Sequence, residues 1–349
     1  MTPWVHSLLT WFSTEQRLMP WRETPSAYGT WISEMMLQQT QVSTVIPYFK
    51  RFMTQFPTVD ALAQADEQQV LKAWEGLGYY SRARNLHKAA KMLVSDYDSQ
   101  LPEDYDDLQK LPGIGPYCAA AITSIAFSNP VPVVDGNVLR VFTRFWGIFD
   151  DIRHNSVKEM LFHKLSHFVA QANPSDFNQA IMECGALICT PKQVKCDCCP
   201  ISRDCFAFKN NKVAELPFKS KKAPTPHYTI AVGVVYHKGK VLIGQRKTDQ
   251  MLGGLWEFPG GKQEDNEVLE QTVRRELLEE CNIVVDVKHC IKVVKHAYSH
   301  FKITLHAFHC DYVSGTLESR SAEQLRWVGV DELERYPFPK ANKAVLDEL

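Results

Sequence analysis

The chain has 349 residues, enough for two domains with sizeable cores, and its 45% hydrophobic and 23% charged residues are ordinary globular usage. A formal net charge of -1 excludes a uniformly basic protein, so contact with a polyanion must come from a local patch and specific geometry. No apolar run reaches the length of a membrane span, and Met1 to His6 lack the basic region and cleavage site of a signal peptide, so we expect a cytoplasmic protein with no membrane partner.

In chain order, apolar spacing predicts an amphipathic helix over Val5–Phe12, a turn-like entry at Leu18–Arg22 and a second helix from about Tyr28 to Tyr48. Glu34 stands in that second helix among Trp31, Ile32, Met35, Met36 and Leu37. Apolar surroundings raise a carboxyl toward the range of a general acid, whereas a Glu on the solvent face of the same helix would keep its ordinary value. Further on, Gly76 and Gly78 flank Leu77 and precede Tyr79, which marks a loop tip. The run Leu111-Pro112-Gly113-Ile114-Gly115-Pro116-Tyr117 cannot continue a helix but can start one, and the free amides of a helix start behind a glycine turn bind phosphate. An ordinary helix–helix corner has the same pattern. Asp135, between Val133-Val134 and Gly136-Asn137, serves either as an N-cap or as a buried carboxylate facing a developing positive charge.

Ten cysteines in a cytoplasmic chain are expected as metal ligands or reduced thiols rather than disulfides. Cys189, Cys196, Cys199 and Cys205 form a compact set of four that suits a tetrahedral metal or an iron–sulfur cluster, and spacing alone does not separate these. Cys198 falls outside the pattern and is expected as a free thiol. From Lys209 the chain turns basic and Pro-punctuated, which places a linker over 209–227 between a domain of residues 1–208 and one of 228–349. Tyr228–Tyr236 and Val241–Arg246 are expected strands joined by a hairpin turn at His237–Lys240, opening an α+β domain. Within it Glu276, Glu279 and Glu280 share one helical face and could present carboxylates to Mg²⁺.

These motifs resemble known families. The LPGIG hairpin followed by Asp135 resembles the helix-hairpin-helix DNA glycosylases, and the run Ser33–Val42, SEMMLQQTQV, is similar to the signature of MutY-type adenine DNA glycosylases. The segment around the four cysteines resembles the iron–sulfur loop of the endonuclease III and MutY group. The stretch Leu255–Ile283 resembles the Nudix box of MutT-type hydrolases, with Asn282 where the box has Gly; Asn tolerates the left-handed helix end.

The resemblance implies an all-α helix-hairpin-helix glycosylase domain with an iron–sulfur loop, plus an α+β Nudix-like domain. It also implies removal of adenine paired with 8-oxoguanine, or with guanine, in duplex DNA, by a nucleoid-associated monomer. In that reading Glu34 protonates the departing adenine and Asp135 stabilises the sugar cation, with Tyr117 and Asn137 in support. Trp21, Arg22 and Glu183 line the adenine pocket. Gln39 and Thr40 fill space near the oxidised base, Tyr79 wedges between bases, Leu77 beside it contacts the DNA, and Gly113 and Gly115 meet the backbone. Ser299 and His300, in the run His296–Phe301, hydrogen-bond the oxidised guanine, and Cys189, Cys196, Cys199 and Cys205 hold a structural 4Fe-4S cluster. Tyr117 stands where strand-cutting relatives carry Lys, which implies base removal with little or no lyase step, since a Schiff base needs an amine. Two alternatives remain open: a bifunctional thymine-glycol-type endonuclease, and a Nudix domain that hydrolyses oxidised nucleoside triphosphates with Mg²⁺.

Overall fold

The first helix spans Pro3–Glu15, longer at both ends than its apolar stripe, because Pro3 is preorganised for a first turn. Its buried face, Trp4, Leu8 and Phe12, packs with Phe142, Leu161, Leu165 and Phe177 in one hydrophobic cluster. Trp4 alone meets Phe142 and Phe168 edge-on at ring-centroid distances of 5.7 and 4.9 Å, and each such burial contributes roughly 1.5–3 kcal/mol. The entry at Leu18–Arg22 contains a short helix, Pro20–Glu23.

The long helix expected over Tyr28–Tyr48 is two helices, Ala27–Leu37 and Val42–Gln55. Gln39 takes φ 56° and ends the first, which hydrophobic periodicity cannot reveal. Of the first helix, Gly29 to Met36 are all buried, Glu34 included. The glycine hairpin is present as expected: Gly113 has φ 81°, and Gly115, the N-cap, leads into Pro116–Phe127 with Pro116 in its first turn.

The computed structural model describes residues 1–221, 224–298 and 300–349. Contacts divide the chain into Met1–Gln64 with Lys88–Lys222, and Ala65–His87 with Ala223–Leu349. This departs from three consecutive blocks in two places. Residues 65–87 join the C-terminal unit, because Gln68 donates to the Gly254 carbonyl at 3.2 Å and accepts from the Trp256 indole at 3.0 Å. The linker, in turn, begins as part of the helical unit: Leu216 is buried, its carbonyl accepts from Arg144 Nε at 2.7 Å, and the Phe218 carbonyl accepts from Ile152 N at 3.2 Å. Composition is blind to a buried guanidinium that needs backbone acceptors.

Among the described residues the C-terminal unit holds seven strands in one sheet, β1 (His227–His237), β2 (Lys240–Gln245), β3 (Trp256–Glu257), β4 (Gly260–Lys262), β5 (Ile283–Ala297), β6 (Lys302–Gly315) and β7 (Gln324–Gly329). The order is β3-β2-β1-β6-β5, with β4 on β1 and β7 on β2. Among the described residues only β1 and β6 pair in parallel. The β1–β2 hairpin turns through Lys238 and Gly239 at φ 49° and 76°, the expected two-residue turn. The helix Leu269–Cys281 covers one face and ends at Asn282 with φ 56°, as the Gly-to-Asn change in the box requires. Among the described residues no helix is long and apolar enough to cross a membrane.

Candidate active site

The helix Ala27–Leu37, the hairpin helix Pro116–Phe127 and the helix Gly136–Trp146 surround a cavity of ≈ 380 Å³, within the range of small-ligand sites. Glu34, Tyr117, Asp135 and Asn137 all line it, as do Trp21, Arg22 and Glu183. The two carboxylates therefore face one space. Glu34 is 5% exposed, and its Oε2 accepts a 2.7 Å hydrogen bond from the Tyr117 hydroxyl. Burial pushes the Glu34 carboxyl up to about 7, with the Asp135 charge adding to the rise; the Tyr117 hydroxyl and Arg22 oppose it.

Asp135 is an N-cap, as expected, and its side chain also lines this cavity. As N-cap of Gly136–Trp146 its Oδ1 accepts from Val138 N at 2.7 Å, while Oδ2 accepts from Asn137 Nδ2 at 2.8 Å. Burial raises its carboxyl above the usual value against these bonds. Asn178 fixes the approach to Asp135 by accepting from Val133 N and donating to the Val131 carbonyl, both at 2.9 Å. Glu183 accepts from Arg17 Nε at 2.7 Å and Nη2 at 2.9 Å, and Arg22 donates to Gln179 at 2.7 Å. Burial would raise the Glu183 carboxyl, but Arg17 and Arg22 outweigh it and hold it below its usual value.

Arg17, Asn178 and Gln179 were not foreseen from the sequence. Neither was Arg140, which donates to Asn137 Oδ1 at 2.8 Å and to the Cys189 carbonyl at 2.6 Å. An Arg in an amphipathic helix gives no sequence signal of the backbone acceptors it will find.

The turn after Leu37 leaves Gln39 exposed, while Thr40 lines the cavity of Glu34. In the C-terminal unit, Leu77, Tyr79, His296, Tyr298 and His300 line a second cavity of ≈ 480 Å³. Leu77 is buried there and Tyr79 is 41% exposed, which suits the tyrosine as the projecting side chain. Ser299 lies outside the described residues.

Cys189, Cys196, Cys199 and Cys205 line one small cavity walled by Val141, Phe145, Ile188 and Ile201. Arg144 Nη1 lies 3.3 Å from Cys189 Sγ. Among the described residues no three His, Cys, Asp or Glu side chains meet closely enough to hold a single metal ion. The buried Cys184, also unforeseen, lies beside Cys199. Gly147, the left-handed C-cap of Gly136–Trp146, packs under the ring that follows Cys205, where an added Cβ would fall 2.5 Å from Phe206. Gly147→Ala is expected to cost more than ~1 kcal/mol, read as a lowered melting temperature.

On the Nudix-like helix, Arg275 donates to Glu267 at 2.7 Å, to Glu276 at 2.9 Å and to Glu279 at 3.2 Å. Glu280 is pushed up to about 7 by burial, with the charges of Glu276 and Glu257 adding to the rise and a Ser321 hydrogen bond opposing it.

The hairpin, the paired carboxylates and the sheet define a helix-hairpin-helix DNA glycosylase joined to a Nudix-like domain. Residues 32–166 match the HhH-GPD superfamily of base excision DNA repair proteins, and residues 231–348 match the NUDIX domain. The solved structure of a thermostable thymine-DNA glycosylase is 27% identical, with TM-score 0.54 over 59% of this chain and 94% of its own. Adenine DNA glycosylase of Buchnera aphidicola subsp. Schizaphis graminum is 36% identical over 88% of this chain and 87% of its own length. That of Homo sapiens is 33% identical over 97% of this chain and 72% of its own. The chain belongs to the adenine DNA glycosylase family.

Proposed function

We propose that this enzyme hydrolyses the N-glycosidic bond of adenine paired with 8-oxoguanine, and with guanine, in duplex DNA. The observation that supports this most is the buried Glu34 carboxyl, held near neutrality by its surroundings in one cavity with Asp135. The adenine flips out of the duplex to enter that cavity, where Trp21, Arg22 and Glu183 form the wall that receives it. Glu34 gives its proton to the base as the bond to the sugar lengthens. Ionised Asp135 faces the positive charge that grows on the sugar, and water completes the hydrolysis. Tyr117 orients Glu34, and Asn137 orients Asp135.

Gly113 and Gly115, both exposed on the turn that opens the helix Pro116–Phe127, suit the close approach of a DNA phosphate. Four thiols around one apolar-walled space, beside Arg144, suit a 4Fe-4S cluster held by Cys189, Cys196, Cys199 and Cys205. When bound, the cluster supplies charge and cross-linking to a loop that carries Lys192, Lys195 and Arg203, and the hydrolysis needs no electron from it. Reading of the oxidised guanine falls to Tyr79 and His300, which share a cavity, with Ser299 next in sequence. We read the Nudix-type carboxylates as hydrolytically inert, since Arg275 already pairs with Glu276 and Glu279.

Among the described residues no lysine lines the Glu34 cavity. With an A:8-oxoguanine duplex the protein is therefore expected to release adenine without Mg²⁺ and leave a strand that breaks only under heat or alkali. Borohydride should trap no adduct, and 8-oxo-dGTP with Mg²⁺ should stay intact. Absence of adenine release overturns the reading; a borohydride adduct overturns its monofunctional part.

A further inference from the structure

We infer that Glu75 is a positioning residue for lesion discrimination, fastening the tyrosine-bearing loop to the C-terminal segment that lines the same cavity. This rests on the reading of that cavity given above.

Glu75 is the C-cap of the helix Glu67–Trp74 and immediately precedes the loop. The loop backbone turns through positive φ at Gly76, Gly78 and Tyr79, 98°, 74° and 48°, so its path needs outside support. Part of that support is internal: the Trp74 indole donates to the Gly78 carbonyl at 3.2 Å, and Arg82 donates to the same oxygen at 3.1 Å. These bonds shape the loop without saying where it points.

Direction comes from Tyr80, whose hydroxyl donates to the Phe338 carbonyl at 3.4 Å, and from the carboxylate of Glu75. Its side chain is 7% exposed; Oε1 accepts from Phe338 N at 3.0 Å, and Oε2 accepts from Lys72 at 2.9 Å and Lys343 at 2.5 Å. Lys72 also donates to the Tyr336 carbonyl at 3.1 Å. One carboxylate thus binds a backbone amide and an ammonium group more than 260 positions away, besides Lys72 three residues before it. Burial works against its charge, but Lys343, the Phe338 amide and Lys72 outweigh that and hold the carboxyl below its usual value. Directly beyond Phe338, Pro339 and Lys340 line the same cavity as Leu77 and Tyr79. Glu75 therefore sits at the root of both segments and touches the ligand space with neither.

Loss of one buried charged hydrogen bond is on the scale of a tenfold change in affinity, about 1.4 kcal/mol. The test measures affinity for duplexes carrying an uncleavable adenine analogue opposite 8-oxoguanine or guanine, together with the excision rate at saturating enzyme. Glu75→Gln is expected to lower the preference for 8-oxoguanine roughly tenfold, with the saturated rate following less than about twofold. Lys343→Met removes one partner at a half-exposed side chain, so it carries the test even if the Glu75 variant folds poorly, and it should lose part of the preference; Lys343→Arg should restore it. An unchanged preference in Glu75→Gln and Lys343→Met overturns the inference. So does an equal loss on both duplexes accompanied by a lower melting temperature, which would be support of the fold and nothing more. If the unsubstituted enzyme itself shows no preference, the 8-oxoguanine reading fails first and this inference with it.

Discussion

Glu34→Gln is expected to lower adenine excision by about 10²–10⁴-fold while the protein still folds and binds the mispaired duplex. Gln keeps the size of the side chain and an oxygen to accept the Tyr117 hydrogen bond, 2.7 Å in the parent, but has no proton to give. The same burial that suits Glu34 to acid catalysis makes it a cost to the fold. Its carboxyl is raised from 4.5 to about 7, so between those values the native state holds a proton that the unfolded chain has released. Stability therefore falls as pH rises through that window, and the penalty, on the order of 3 kcal/mol, is fully present above about pH 7. Thermal melts should show the Gln variant more stable than its parent near pH 8, with the difference gone near pH 4. Excision by the parent should decline as pH rises past about 7, when Glu34 loses its proton. Full activity in the variant would remove Glu34 from the chemistry, and lower stability near pH 8 would contradict the burial argument.

Much of this site was legible because its chemistry leaves local marks in the chain. A Glu set among Trp31, Ile32 and Met35 suits a solvent face as well as burial, and the resemblance of the run around it is what marked Glu34; Gly113 and Gly115 before Pro116 advertise a turn that opens a helix. The C-terminal hairpin was equally local, since a Lys-Gly pair with positive φ at both positions fits only a tight turn. What the sequence hid is what depends on partners far along the chain. Gln39 breaks a helix whose apolar period runs on unbroken, and the segment 65–87 joins the C-terminal unit through Gln68, Lys72 and Glu75, polar residues that look like a solvated face. Arg17, Arg140 and Arg144 were invisible for the same reason: a guanidinium reveals its role only when its carboxylate or carbonyl partner is in place.

Asp135→Asn is expected to slow excision by about 10²–10³-fold, the scale on which one preorganised electrostatic contact to a developing charge acts. This substitution separates the two jobs that the side chain performs. Asn caps helices about as well as Asp, so the bond from Val138 N to Oδ1 can survive. The bond from Asn137 Nδ2 cannot, because Arg140 donates to Asn137 Oδ1 and so obliges Asn137 to present its amide nitrogen to position 135. Two donors then face each other, at a cost of roughly 1–3 kcal/mol. A lowered melting temperature is thus part of the expected result, and the rate must be read at saturating enzyme well below it. Under those conditions the variant is folded and the cap is made, so what remains missing is the negative charge opposite the sugar. If excision then stays within about tenfold of the parent, Asp135 is a helix cap that happens to line the cavity, and the positive charge on the sugar must be met by some other group.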